Sequence, residues 1–235
     1  LPAKGSAERR RLLLVATLVL ALGLPLLFSA YIWYGGAPDA QQLSMQLGEP
    51  VRGTHARQAL AQISVRMSRG DSTMQRWYPR MRELAAHPDP ELRQSVASAM
   101  GRDRNEVSFA DPLRKLMLTD SDVMVRRAAA ISLAARGDAQ AKPVLEAMLQ
   151  PHTVRSPIAG SVRVLVHPGD RVSPWTEIAR QDKLSIRAEV PGVVKSTAGE
   201  GDLQTEIGRT LVEIAPDSEQ TALAQQGLQR LAARR

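Results

Sequence analysis

Apolar and polar positions change rhythm several times along this chain. The first change is abrupt. Leu12–Tyr34, LLLVATLVLALGLPLLFSAYIWY, is a run of 23 residues without a charge. A helix rises about 1.5 Å per residue, so this run reaches roughly 34 Å, enough for a hydrocarbon core of about 30 Å. The pattern predicts a transmembrane helix at 12–34. Arg9, Arg10 and Arg11 stand at its start, and Tyr31, Trp33 and Tyr34 at its end, where amphipathic rings favour the lipid–water boundary. The positive-inside bias makes residues 1–11 a cytoplasmic N-terminus in a bacterial inner membrane and puts everything after the span in the periplasm. The run exceeds the roughly 7–15-residue core of a cleaved signal peptide, so a retained anchor is expected. Residues 35–54, rich in Gly, Pro and Gln, read as a linker.

From 55 to 150 the period is helical and the pattern repeats. Three segments open on proline, PRMRELA at Pro79, PLRKLML at Pro112 and PVLEAML at Pro143. Proline suits a first helical turn, where its missing N–H is no loss. Two of the segments lead through an acidic turn into a second helix. Asp89 and Asp122 open those turns, with Arg93 and Arg126 at the same offset behind them. Leu92, Val96 and Met100 then fall on one helical face, as do Val125, Ala129 and Leu133. The repeated D-x-x-[LV]-R turn before an alanine-rich helix resembles HEAT repeats. That resemblance implies a short α-solenoid that binds proteins and has no catalytic residues to transfer. Arg93, Arg126 and Arg127 are the candidate partner-binding residues.

From 151 to 216 apolar and polar residues alternate between Gly and Pro punctuation, the texture of short strands. Two halves echo each other: Gly160 with Gly192, Val162 with Val194, and Gly169-Asp170 with Gly201-Asp202. The echo predicts paired hairpin units related by a pseudo-twofold, with glycines supplying positive φ at the turns. SPIAGSV, GDRV and VPGVV make the region similar to the barrel-sandwich hybrid (lipoyl-like) domain. Within that family, GDRVSPWTEI and DKLSIRAEVP are closest to the wording of membrane-fusion, or periplasmic adaptor, proteins, with Trp175 where those have a glycine. The carrier branch acylates a hairpin-tip lysine, and Asp182-Lys183 resembles its motif. The adaptor wording is the longer match, and Lys183 is therefore expected to be an unmodified turn residue. Residues 217–235 read as a short helical tail, either docked or solvated.

Composition narrows the function. With no cysteine, disulfides, thiolate metal sites and cysteine nucleophiles are excluded. Aromatics are 3% of the chain, so the core rests on aliphatic residues and Met. The net charge of +7 forms no long basic stripe with interleaved aromatics, which argues against nucleic acid. The four histidines show no ligand spacing, and neither a metal nor a cofactor is expected. The expected fold class is a multidomain membrane-anchored chain: a single transmembrane α-helix, a short HEAT-like α-solenoid and an all-β barrel-sandwich hybrid. The expected function is a non-catalytic scaffold or accessory subunit of an integral membrane protein complex, in contact with the lipid bilayer. The alternatives are a periplasmic adaptor of an export system and a lipoyl or biotinyl carrier component.

Overall fold

The computed structural model describes residues 40–48, 53–199 and 201–233. The chain divides into two units, Leu1–Glu49 and Pro50–Arg235. In the first, helix α1 (Ala40–Leu47) occupies the stretch expected to be a linker. Its sequence AQQLSMQL consists mostly of good helix formers and contains neither Gly nor Pro.

The expected fold class is corrected at its first element. Among the described residues no helix is long and apolar enough to cross a membrane. The longest, α2 (Gly53–Ser68), has 16 residues and places Arg57, Gln62 and Arg66 among its apolar positions. The fold observed is a HEAT-like helical region joined to antiparallel sheets. The segment 12–34, on which the membrane-anchored class rested, lies outside the described residues, as do Arg9, Arg10, Arg11, Tyr31, Trp33 and Tyr34.

In the second unit, α2 is followed by two helix pairs, α3 (Tyr78–Leu84) with α4 (Pro90–Met100), and α5 (Ala110–Thr119) with α6 (Val123–Arg136). Then comes α7 (Lys142–Met148), opened by Pro143. The aspartates of the repeat are N-caps. Asp89 accepts from the Glu91 N–H at 2.9 Å, and Asp122 from those of Met124 and Val125 at 2.8 and 3.1 Å. Each cap satisfies donors that the first helical turn leaves without partners. Gly137, at φ 87°, ends α6 in the left-handed conformation. Leu92, Val96, Met100, Val125, Ala129 and Leu133 are all fully buried, so the predicted stripes are the core face. The second helices pack tightly. A Cβ added at Gly101 would lie 2.7 Å from Ser132 Cβ, and Ser132 Oγ donates to the Ala97 carbonyl at 2.8 Å.

Among the described residues eight strands follow, β1 (His152–Arg155), β2 (Gly160–Val164), β3 (Arg171–Val172), β4 (Glu177–Gln181), β5 (Leu184–Arg187), β6 (Gly192–Thr197), β7 (Asp202–Thr205) and β8 (Thr210–Pro216). They form two antiparallel four-stranded sheets, ordered β1-β8-β6-β3 and β5-β4-β2-β7. Exchanging β1–β4 with β5–β8 turns one order into the other, so the sequence echo is a structural pseudo-twofold. The echoed glycines serve different needs. Gly160 sits at φ 137°. Gly192 instead allows β6 to approach β8, since its Cβ would lie 2.7 Å from Ile214 Cγ2. Val162, Ile178, Val194, Leu211 and Ile214 fill the space between the sheets, and Val123 and Met124 of α6 pack against this core.

After β8 the chain returns to the helices. Helix α8 (Ser218–Ala232) is capped by Asp217, which accepts from the Gln220 N–H at 2.8 Å, and it packs on α6 and α7. Asp217, Gln220, Ala224 and Leu228 repeat the spacing of Asp122, Val125, Ala129 and Leu133. Helix α8 is thus the second helix for α7, and the β domain is inserted between the two halves of the last repeat. A Cβ at Gly227 would lie 2.8 Å from Leu145 Cδ1 and 3.5 Å from Ala134 Cβ. Gly227→Val is therefore expected to cost about 1–3 kcal/mol by overpacking. Removal of residues 217–235 should lower the helical melting transition more than the substitution does. Circular dichroism during thermal unfolding checks both, and unchanged melting in the truncated chain would contradict the insertion topology.

Candidate functional site

An arginine ladder runs along the turns that open the second helices. From the first turn of α4, Arg93 reaches the loop between α5 and α6. Its Nε donates to Asp120 Oδ2 at 2.7 Å and its Nη2 to Asp120 Oδ1 at 2.8 Å. Its Nη1 donates to the carbonyls of His87 and Pro88 at 2.8 and 2.9 Å. Arg126, at the matching place in α6, donates to the carbonyls of Asp120 and Ser121 at 2.7 and 3.1 Å. Both arginines, expected as partner-binding residues, tie loops inside the chain, Arg93 through all three nitrogens and Arg126 through Nη1. Burial alone would raise the Asp120 carboxyl. The Arg93 fork, the Asp122 N–H and the charges of Arg93 and Arg126 outweigh burial and hold it below the ordinary carboxylate value.

The ladder passes into the β domain. His152 Nε2 lies 3.0 Å from Glu189 Oε2. This hydrogen bond, joined by the charges of His152 and Arg126, lowers the Glu189 carboxyl against a desolvation that would raise it.

Arg127 points into the packing of α6 against α8. It is 6% exposed, and its Nη1 donates to Gln220 Oε1 at 3.2 Å. Desolvation, reinforced by Arg126 and opposed by Asp217, pulls its guanidinium below the usual arginine value. Gln220 itself is buried, at the position where the earlier repeats have Leu92 and Val125. The polar substitution in the last repeat accompanies the buried arginine it faces.

Helices α2, α4, α6 and α8 line a groove of about 1150 Å³, to which Pro174 and Pro191 of the β domain add a wall. A second hollow of about 790 Å³ shares Ser68, Gln94, Ser98, Arg102, Met124 and Pro174 with it and has Trp175 in its lining. Arg57 pairs with Glu91 on its lining. Trp175 is 51% exposed and sits at φ 77°. A hydrogen bond from its N–H to the Ala188 carbonyl, 2.9 Å, just beyond the pairing of β4 with β5, holds it there. A non-glycine residue in this region costs about 1–3 kcal/mol. The related wording has glycine at this place, and the backbone gives the reason. The sequence signal was present in that missing glycine, yet Trp175 and Arg102 were not among the predicted site residues.

Lys183 lies at the tip of the hairpin formed by β4 and β5, where Gln181 pairs with Leu184 and leaves a two-residue turn. Asp182 supplies the positive φ, 52°, and the lysine is exposed. Among the described residues no group of three or more His, Cys, Asp or Glu is placed to hold a metal ion.

Comparison with known proteins agrees with the helical part. The HEAT repeats family matches residues 78–163, from α3 through α7 and into β1 and β2. None of the curated proteins matches the chain. The family match ends before α8, whose place in the last repeat is visible in the packing and not in a continuous sequence.

The Arg93–Asp120 pair sets a stability that depends on pH. The Asp120 side chain is 4% exposed, so Arg93→Met leaves a buried carboxylate unpaired and is expected to cost about 3 kcal/mol at neutral pH. The folded Asp120 carboxyl titrates below its unfolded value of about 3.9, so its contribution is complete above that value and lost as pH falls through the folded one. Urea unfolding should therefore show a stability gap between wild type and Asp120→Asn that is constant above about pH 5 and shrinks in acid. A gap that grows with acid would contradict the pairing.

Proposed function

We propose that this chain is a non-catalytic scaffold, an accessory subunit that holds a larger protein assembly together. In this reading the β domain is a structural barrel-sandwich hybrid of the adaptor type, and the helical repeats are its platform. The observation that carries the reading is the insertion itself. The β domain leaves from α7 and returns into α8, roots its core on Val123 and Met124, and so has two connections to one helical body. Such a joint suits a rigid two-part docking surface more than a mobile carrier. The β1–β8 pairing, with His152 opposite Ile214, keeps the two connections side by side.

One observation favours a second reading. The exposed two-residue tip at Asp182-Lys183 has the form in which carrier domains present an acylated lysine. Mass spectrometry of the intact chain from its source cells separates the two. The scaffold reading expects no added lipoyl or biotinyl group, and a modified Lys183 would establish the carrier.

The scaffold reading is tested by purification under gentle cross-linking. The full chain is expected in a stable assembly of fixed stoichiometry. Gly101→Leu, which forces α4 away from α6, should release the partners and leave turnover per intact assembly unchanged. Loss of turnover in assemblies that remain intact would put the chain in the chemistry and overturn the proposal.

A further inference from the structure

We infer that the groove on the second helices binds an acidic, leucine-bearing segment of a partner protein, with a carboxylate on Arg127 and an apolar side chain against Trp175. The inference rests on the scaffold reading and names the partner class and the site.

Arg127 is the first support. A guanidinium has five donors, and this one, 6% exposed on the lining of the groove, has a neutral amide at 3.2 Å as its hydrogen-bond partner. Among the described residues it pairs with no carboxylate. Asp217 favours its charge without bonding to it, so no carboxylate of the described residues occupies its free donors, and the groove is the open side from which one can arrive. The charge around it has the same sense. Arg102, Arg104 and Arg230 line the groove without a carboxylate partner among the described residues. Of the lining carboxylates, Asp71 is neutralised by Arg66 at 2.7 Å, while Asp103, bonded by the neutral Tyr78 hydroxyl, and Glu219 keep their charge and are outnumbered by the four arginines. The free charge is therefore positive and selects an acidic occupant.

Trp175 is the second support and is independent of charge. A tryptophan kept half-exposed on a left-handed backbone costs stability that a glycine would not. It lines the adjoining hollow, as does Val65, itself 49% exposed. A large exposed aromatic at the edge of a preformed groove is the side chain type that dominates peptide interfaces. A simple polyanion would engage the arginines and leave this apolar end unused.

The test titrates the full chain into a fluorescein-labelled peptide of Glu-Glu-Leu repeats and follows anisotropy. Saturable binding is expected. Trp175→Gly and Arg127→Met should each weaken it by about tenfold or more, or about 1.4 kcal/mol. The melting temperature of Trp175→Gly should not fall, because glycine fits the backbone without strain, so its binding loss is not a loss of fold. A peptide with Gln for Glu should bind at least about tenfold more weakly. No saturable binding of the Glu-Glu-Leu peptide overturns the inference. Polyglutamate binding as tightly and indifferently to Trp175→Gly also overturns it, marking a general polyanion surface. A dimer seen by sedimentation and lost in Trp175→Gly makes a second copy the occupant and overturns it too. If the peptide fails while the cross-linked assembly persists, the groove assignment falls and the scaffold reading stands. If no assembly is found, the scaffold reading falls whatever the peptide does.

Discussion

A helical repeat cannot bury its apolar face alone, and the rest of this structure follows from that constraint. Each second helix of the repeat covers the stripe of its neighbours, as α6 does in packing on α4, with its own Leu133 and Ala129 fully buried. Helix α7 arrives with Leu145 and Met148 on its inner side, but the chain that follows it turns into strands. The missing cover comes from α8, beyond the whole β domain. Because Leu145 and Ala134 close on Gly227, that cover is tight and leaves no room for a side chain. The entry and exit of the insertion are consequently fixed within one repeat, and the pairing of β1 with β8 satisfies that requirement.

The polar interactions follow the same geometry. Arg93 spans from one repeat to the next because the loop carrying Asp120 lies beside its own turn. Arg126 has the same carbonyl contacts, but a repeat further on the chain is strand, and its charge acts on Glu189 of the β domain as well as on Asp120. The ladder therefore ends on the inserted domain. Arg127, one residue and about 100° further round the helix, meets the second helix that has Gln220 in place of an aliphatic residue. Neighbouring arginines in one sequence motif thus have unlike environments.

The sequence carried much of the helical repeat. Proline at the first turn, aspartate at the cap and aliphatic residues at i, i+4 and i+8 are local signals, and Asp89, Asp122, Val96 and Leu133 occupy the places those signals imply. The strand echo was also legible, because Gly160 and Gly169 require backbone conformations that few other residues accept. The function of α8 was not. Its cap and stripe are present, but the match to the earlier repeats is interrupted by strands, and Gln220 and Gly227 replace the residue types that define a repeat. The fates of Arg93, Arg126 and Arg127 were equally hidden, since exposure of a guanidinium depends on partners distant in the chain. The reading of residues 12–34 as a span governed the expected fold class, and the described helices contain nothing of that length or apolarity.

The interrupted repeat imposes an order on folding. During synthesis α7 emerges well before the helix that covers it, and residues 149–217 must appear in between. Closing a flexible loop of that length costs more entropy than closing one of a few residues, by about 2 kcal/mol. Once β1 and β8 have paired, the intervening chain behaves as a short loop, and α8 is delivered next to α7. The sheets thus act as an internal template for the last helical repeat, and a nascent chain halted before Thr210 would expose Leu145, Met148 and Ala134 to any other apolar surface in reach.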